Sequence, residues 1–172
     1  MIQKIRGIFV KETRDLLIEK HGDTAFEDAI RYTGYMQTLL GDLDPETFYD
    51  VSVYQQLLEN IDTSDSVKIS EKIADKLTDS FGFFRHFITL KKLVDDHQKF
   101  WNMAYDSGRL RILEDDRRQI KAKVEYFRMT GPHRRALEAF LSRMITIASK
   151  KKVVSTSIAI DDQTTEFMFY LS

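Results

Sequence analysis

The hydrophobic period of the chain changes near Gly108, and this change constrains the fold more than any other feature. Before Gly108, apolar residues recur at steps of three and four, the spacing of a helix with one buried face. After it, the segments RLRILEDD and QIKAKVEYF alternate apolar and charged residues, which is typical of strands with one face in water. The sequence therefore predicts a mainly helical part over 1–105 and strands within 106–172.

Two polar turns divide the second part. Residues 115–118 and 161–163 separate alternating segments, so each predicts the turn of an antiparallel hairpin. Between the hairpins, Gly131 and Pro132 begin a helix, because proline is tolerated in a first helical turn. The order of helices, hairpin, helix and hairpin predicts one α+β domain over 1–172, with a four-stranded antiparallel sheet covered on one face.

Helix starts within the first part are predicted from capping residues. Thr24 with Glu27 and Ser52 with Gln55 have the spacing of capping boxes. Another helix is expected to begin at residue 65 or 66, and a continuous one to run over 89–104.

Composition excludes several classes of protein. The 172-residue chain contains no cysteine, which rules out disulfides, thiolate catalysis and cysteine-bound zinc, iron–sulfur or haem sites. No apolar run approaches the roughly 20 residues of a membrane span or forms a signal peptide. We therefore expect a cytoplasmic protein with no membrane partner.

Charge is distributed unevenly along the chain. Residues 109–152 contain 13 Lys and Arg against 5 Asp and Glu, although the net charge of the whole chain is only -1. An acidic partner would explain this excess, and a solvated strand face explains it more simply. Nucleic acid is not expected, because the nearby aromatic residues alternate onto the opposite, apolar face.

Chemistry-bearing motifs are scarce. The chain has only 7 glycines and no glycine-rich phosphate loop, and it lacks a nucleophile-elbow pattern. His21, His86 and His133 lie far apart without metal-ligand spacing. These observations predict a protein that is not an enzyme.

One histidine has a distinctive position. On the predicted helix over 89–104, Leu93, Val94, His97 and Trp101 share one apolar stripe. His97 is thus either a haem or metal ligand or an ordinary polar residue beside packed aromatics. Its neighbour Asp96 points in another direction on a helix, so a metal ion bound there would need further ligands from elsewhere in the fold.

Several segments carry a resemblance that spans almost the whole chain. They are the opening helix from Gly7 to Gly22, the segment from Val53 to Leu58, the Phe-Gly-Phe-Phe element at 81–84 and the final hairpin, helix and hairpin. Together they resemble the haem-nitric-oxide/oxygen-binding (H-NOX) sensor domains and their haem-free relatives, including vinyl-4-reductase-type ligand-binding domains. The resemblance implies a sensory or regulatory domain with an internal pocket.

The resemblance also implies where haem would bind. LVDDHQ is similar to the segment that holds the axial ligand, which places that ligand, and any metal, at His97. The family's Tyr-x-Ser-x-Arg propionate clamp should lie near Tyr126, where the chain reads Tyr-Phe-Arg-Met-Thr and its arginine is displaced to Arg128. The literal match from Tyr105 to Arg109 begins only eight residues after His97 and is interpreted as chance.

The leading hypothesis is a non-enzymatic sensory or regulatory domain that binds an apolar ligand or a signalling protein, without a recognisable clamp. The alternative is a haem-binding sensor of NO or O2 with His97 as axial ligand, and a homodimer is a further possibility for either. Candidate cofactor-binding residues are His97, Trp101, Tyr126 and Arg128. The predicted pocket lining comprises Phe83, Phe84, Phe87, Leu93, Trp101, Val124 and Tyr126.

Overall fold

A computed structural model describes residues 2–80, 89–116 and 118–172. Its first part contains the strands β1 and β2 and the helices α1 to α7. They are β1 (Lys4–Arg6), α1 (Gly7–His21), α2 (Asp23–Ile30), α3 (Met36–Leu40), β2 (Phe48–Asp50), α4 (Val51–Leu58), α5 (Thr63–Ser80), α6 (Leu90–Asp95) and α7 (His97–Ala104). The second part contains β3 (Arg109–Asp115), β4 (Gln119–Glu125), α8 (Gly131–Ser149), β5 (Val153–Ala159) and β6 (Thr165–Leu171).

The four-stranded sheet has the order β3-β4-β6-β5, and every neighbouring pair is antiparallel. Its inner face is apolar and buried, with Ile120 and Ala122 on β4 beside Phe167 and Phe169 on β6. Helix α8 packs between this sheet and α5. The predicted α+β fold and its two hairpins are therefore confirmed.

A small second sheet was not predicted. β1 and β2 pair antiparallel through only three residues each, with Ile5 opposite Tyr49. Ile5 also bridges to Tyr105, which immediately precedes the second part of the chain. Strands this short contain too few residues to show an alternating pattern.

Both predicted capping boxes are wrong. Helix α2 begins at Asp23 with Gly22 as its N-cap, so Thr24 lies inside the helix and makes no capping bond. At α4 the N-cap is Asp50, whose carboxylate accepts a hydrogen bond of 2.9 Å from the Ser52 backbone N–H. Asp50 therefore accepts the Ser52 backbone N–H, which the side chain of Gln55 would accept in a capping box.

The helix predicted over 89–104 begins correctly, because the Thr89 hydroxyl caps it at the Lys92 N–H. However, the backbone of Asp96, with φ of -102° and ψ of 18°, divides it into α6 and α7. His97 is therefore the first residue of α7. Helix α5 begins at Thr63, earlier than the predicted residue 65 or 66.

Phe9 joins the two parts of the fold. Its ring lies 5.8 Å from Tyr54, 6.1 Å from Tyr105 and 5.2 Å from Phe140, measured between centroids. These partners come from α4, the end of α7 and α8, so one aromatic side chain on α1 contacts both parts. Among the helices that the structure describes, none has the length and apolar composition to cross a bilayer.

The start of α1 passes close to the segment that precedes β2. A Cβ atom added at Gly7 would lie 2.0 Å from the Asp44 carbonyl oxygen and 2.7 Å from the Tyr49 ring. We predict that Gly7→Ala lowers the free energy of unfolding by about 3 kcal/mol, because both neighbours must move to relieve the overlap. Gly34→Ala is the matched control, since nothing lies within 4 Å of its added Cβ. Urea unfolding of both variants measures the difference, and equal midpoints would contradict the prediction.

Candidate functional site

An apolar cavity of about 60 Å³ lies between helices α6, α7 and α8 and the inner face of the sheet. Its wall is almost entirely hydrocarbon and aromatic, with the imidazole of His97 as one of its few polar groups. The described lining residues are Leu77, Thr78, Leu93, Val94, His97, Phe100, Trp101, Met103, Ala104, Tyr105, Leu110, Ile112, Ile120, Ala122, Leu137, Phe140, Leu141, Met144, Ile145 and Phe169.

His97 is half-buried at this wall. Its Nδ1 lies 2.6 Å from the carbonyl oxygen of Val94 on the preceding turn. A carbonyl can only accept, so Nδ1 donates, and a neutral ring then keeps its lone pair on Nε2. Within the described residues, Nε2 has no hydrogen-bond partner. A ligand histidine has the same protonation pattern, with the second ring nitrogen fixed by a backbone carbonyl.

The neighbouring carboxylate does not contact His97. Asp96 instead accepts a hydrogen bond of 2.6 Å from Lys99, and this bond lowers the pKa of Asp96. The Val94 carbonyl, and not the Asp96 carboxylate, therefore holds the imidazole of His97. The described part of the chain contains no cluster of three or more His, Asp or Glu that could hold a metal ion.

Trp101 is buried and lines the cavity, as predicted. Its indole Nε1 donates a 2.8 Å hydrogen bond to the Ser107 carbonyl, and its ring stacks on Tyr105 with centroids 4.3 Å apart. Leu93 is a second confirmed lining residue. Because its Nε1 is hydrogen-bonded and its ring is stacked on Tyr105, Trp101 holds a fixed position in the cavity wall.

The prediction that Tyr126 lines the pocket is wrong. Strand β4 ends at Glu125, Tyr126 has a φ of 60°, and its side chain is 69% exposed. The change of backbone direction brings Phe127 into the core in its place, where it is 1% exposed. Val124 is fully buried but lies in the core away from the cavity wall. The three phenylalanines predicted at 83, 84 and 87 lie outside the described residues.

Arg128 lies on the surface as well. Its guanidinium forms a 2.7 Å ion pair with Asp162 and is 70% exposed. Neither it nor Tyr126 borders the cavity. Their assignment as cofactor-binding residues stays a prediction from the resemblance, without support from their positions.

The literal Tyr-x-Ser-x-Arg match does not form a cluster. The Tyr105 hydroxyl lies 3.0 Å from Nε2 of buried His133, whereas Arg109 is exposed at the start of β3. Ser107 contributes its carbonyl to Trp101. The three side chains therefore do not converge on one anion.

These positions do not fit haem. Pockets for ligands of cofactor size enclose roughly 300–1,000 Å³, whereas this cavity has about 60 Å³. No Lys or Arg belongs to its described wall, so buried propionates would lack partners at a cost of several kcal/mol. His97 supplies a suitable ligand atom, but the described residues supply neither the volume nor the anchor for a porphyrin.

A buried histidine near the cavity was not singled out by the sequence. His133 is fully buried on α8, with Nδ1 3.1 Å from Gln55 Nε2 and Nε2 3.0 Å from the Tyr105 hydroxyl. The Gln55 amide donates to Nδ1, so Nε2 carries the hydrogen of a neutral ring. Burial lowers the pKa of His133 to about 3. Its partners are distant in sequence, and no local pattern could have identified them.

Comparison with solved structures shows an H-NOX-like fold. The Fe(II) unliganded H-NOX protein from K. algicida superposes with a TM-score of 0.71 at 11% identity, covering 97% of this chain and 96% of that one. A mutant of the T. tengcongensis H-NOX protein gives a TM-score of 0.61 at 11% identity, with 97% of each chain covered. No protein-family model matches this sequence, and no curated protein matches it.

The buried imidazole predicts a pH dependence of stability. Because the folded protein keeps His133 neutral, the unfolded chain binds more protons between pH about 6.5 and about 3, so stability falls as the pH is lowered through that window. We expect His133 to account for a loss of about 2 kcal/mol in unfolding free energy between pH 7 and pH 5.

Urea unfolding at several pH values measures this loss. Most carboxylates titrate below this range, so the slope reports mainly on histidine. His133→Gln retains hydrogen-bonding atoms without the titrating ring, and it should show a flatter profile. A wild-type profile as flat as that of the variant would contradict the prediction.

Proposed function

We propose that this chain is a non-enzymatic sensory or regulatory domain that binds a small apolar ligand in the cavity beside His97. The carrying observation is the cavity itself, which lies between the helices and the sheet with an apolar wall that includes the imidazole of His97. The fold supports the proposal. One H-NOX protein that shares it is described as unliganded, and another structure is described in terms of H-NOX activation, so the descriptions of these proteins refer to a ligand and to an activated state.

The cavity's size sets the class of ligand. Its 60 Å³ exceeds the roughly 10–15 Å³ that a cavity needs to hold one water and is well below the roughly 300–1,000 Å³ of pockets for drug-sized ligands. A diatomic gas or a very small hydrocarbon suits this volume better than a drug-sized molecule. Water is disfavoured, because a buried water needs about three hydrogen bonds and the wall has few polar groups.

The position of the cavity gives a bound ligand a way to act on the rest of the fold. Tyr105 lines the cavity, contacts Phe9 from α1 and bonds His133 on α8. A ligand that binds one arrangement of these side chains better than another shifts the population toward that arrangement. We propose that this shift is what a signalling partner detects.

Xenon tests the proposal because it is small, apolar and chemically inert. Under xenon pressure, we expect saturable chemical-shift changes at the methyl groups of Leu93 and Met144, which line the cavity. Leu43 and Leu58 are buried and lie away from it, so their methyl groups serve as internal controls. Shifts that grow linearly at all four residues, or no shift at any, would refute a ligand-binding cavity.

The alternative, a haem-bound gas sensor, has one observation in its favour. His97 lines the cavity, and its tautomer leaves a lone pair on Nε2, as an axial ligand requires. When bound, haem would supply an iron centre for NO or O2. The small volume and the surface position of Arg128 count against this function.

A visible spectrum separates the two functions. We expect protein from cells grown with a haem precursor to be colourless and to develop no Soret band specific to His97 when hemin is added. His97→Ala is the diagnostic variant, and His21→Ala, at the exposed end of α1, is its control. A Soret band that His97→Ala abolishes and His21→Ala preserves would overturn the apolar-ligand proposal in favour of haem.

A further inference from the structure

The two edges of the four-stranded sheet differ in how they are protected. Edge strands usually carry charges or bulges that prevent them from pairing with other chains. β3 has both, with alternating charges and a register shift between Ile112 and Glu114. β5, with the sequence VVSTSIA, has neither a charge nor a register shift along its seven residues. Among the described strands it pairs only with β6.

The outer face beside this edge carries exposed apolar side chains, with Thr156 and Glu166 as polar neighbours. Val154 is 56% exposed and Ile158 is 61% exposed, although both are β-branched hydrocarbons on a regular strand. Tyr170 lies opposite Val154 on β6 and is 47% exposed. The unprotected edge is therefore bordered by an exposed apolar stripe, a combination that marks an interaction surface.

We propose that β5 pairs with β5 of a second copy of this chain. The two strands run antiparallel about a two-fold axis at Thr156 and join two four-stranded sheets into one sheet of eight strands. The inference is independent of what the cavity binds.

Backbone hydrogen bonding supports this register. Lys152 and Ser172 exchange both of their backbone hydrogen bonds, at 3.1 and 3.0 Å. Since bonded pairs alternate in an antiparallel ladder, the even-numbered residues of β5 bond to β6, and the odd-numbered N–H and C=O groups face the open edge. An axis at Thr156 sets Val153 opposite Ala159 and Ser155 opposite Ser157, so outward-facing groups meet outward-facing groups along the whole strand.

The side chains are complementary in the same register. Val154 of each copy lies opposite Ile158 of the other, which gives two apolar cross-strand pairs. The flanking charges have opposite signs, because Lys150, Lys151 and Lys152 precede the strand and the 161–162 aspartates follow it. Antiparallel pairing brings the lysines at 150–152 of each copy toward the aspartates at 161–162 of the other. A parallel arrangement would instead bring like charges together, so charge selects the two-fold arrangement.

The inner side of the edge is already satisfied within one copy. Glu138 on α8 accepts hydrogen bonds from the hydroxyls of Ser155 and Ser157, at 2.8 and 2.5 Å. These bonds join β5 to α8 and leave the outward backbone groups of β5 as the open edge. A second copy supplies the same geometry from its own β5, which is why we favour it over an unrelated partner.

Sedimentation velocity and a single engineered cysteine test the pairing. The wild-type protein should sediment at about 100 µM as a species of twice the 20.2 kDa chain mass. The chain contains no cysteine, so Thr156→Cys places one thiol per copy at the proposed axis. Under mild oxidation this variant should form a disulfide dimer in high yield. Met168→Cys, on the same face but one strand inward, should remain largely uncrosslinked.

A monomer at this concentration would overturn the proposal, as would a dimer that crosslinks through residue 168 as readily as through residue 156.

Charge exchange tests the register. Lys151→Glu and Asp161→Lys each set like charges against each other twice in a homodimer, so each variant alone should dissociate at least ten-fold more readily than wild type. An equimolar mixture restores two opposite-charge contacts and should recover the dimer. Circular dichroism of each variant checks its fold. Recovery only in the mixture supports the register, and equal dimerisation of all samples refutes it.

Discussion

The fold depends on a buried cluster of aromatic rings where its two parts meet. Tyr105 is central to this cluster, packed 4.3 Å from Trp101, 4.8 Å from Phe127 and 6.1 Å from Phe9. Its buried hydroxyl is hydrogen-bonded to Nε2 of His133, and Gln55 bonds the other ring nitrogen of His133, so these buried polar atoms have partners. Because these residues come from α1, α4, α7 and its C-terminal end, the segment after β4, and α8, their packing fixes the helical part against the sheet.

That cluster also sets the size of the cavity. Trp101, Tyr105 and Phe140 occupy space beside His97, so the room left is small and apolar. Protein interiors are close-packed, and filling or emptying even a small cavity is felt by its neighbours. The same side chains that exclude a large cofactor therefore connect the cavity to both parts of the molecule. The open edge of β5 is a separate surface, because no residue of β5 belongs to the described cavity wall.

Much of the fold could be predicted from the sequence, because the alternation in β3, β4 and β6 and the Gly131-Pro132 helix start are local signals. Helix ends were less predictable, since a cap depends on which of several polar residues reaches a free N–H. The site was predictable only in part. His97, Leu93 and Trp101 share a helical stripe, whereas the outward turn at Tyr126 and the burial of His133 depend on contacts between distant segments.

We propose that the cavity beside His97 accepts a small apolar ligand and is too small for a porphyrin. A crystal structure of the protein, purified from cells grown with a haem precursor and pressurised with xenon, tests it most directly. We expect an anomalous xenon peak between the side chains of Trp101 and Met144, with no porphyrin density. Porphyrin density coordinated by His97, or a cavity filled by protein side chains with no xenon peak, would contradict it.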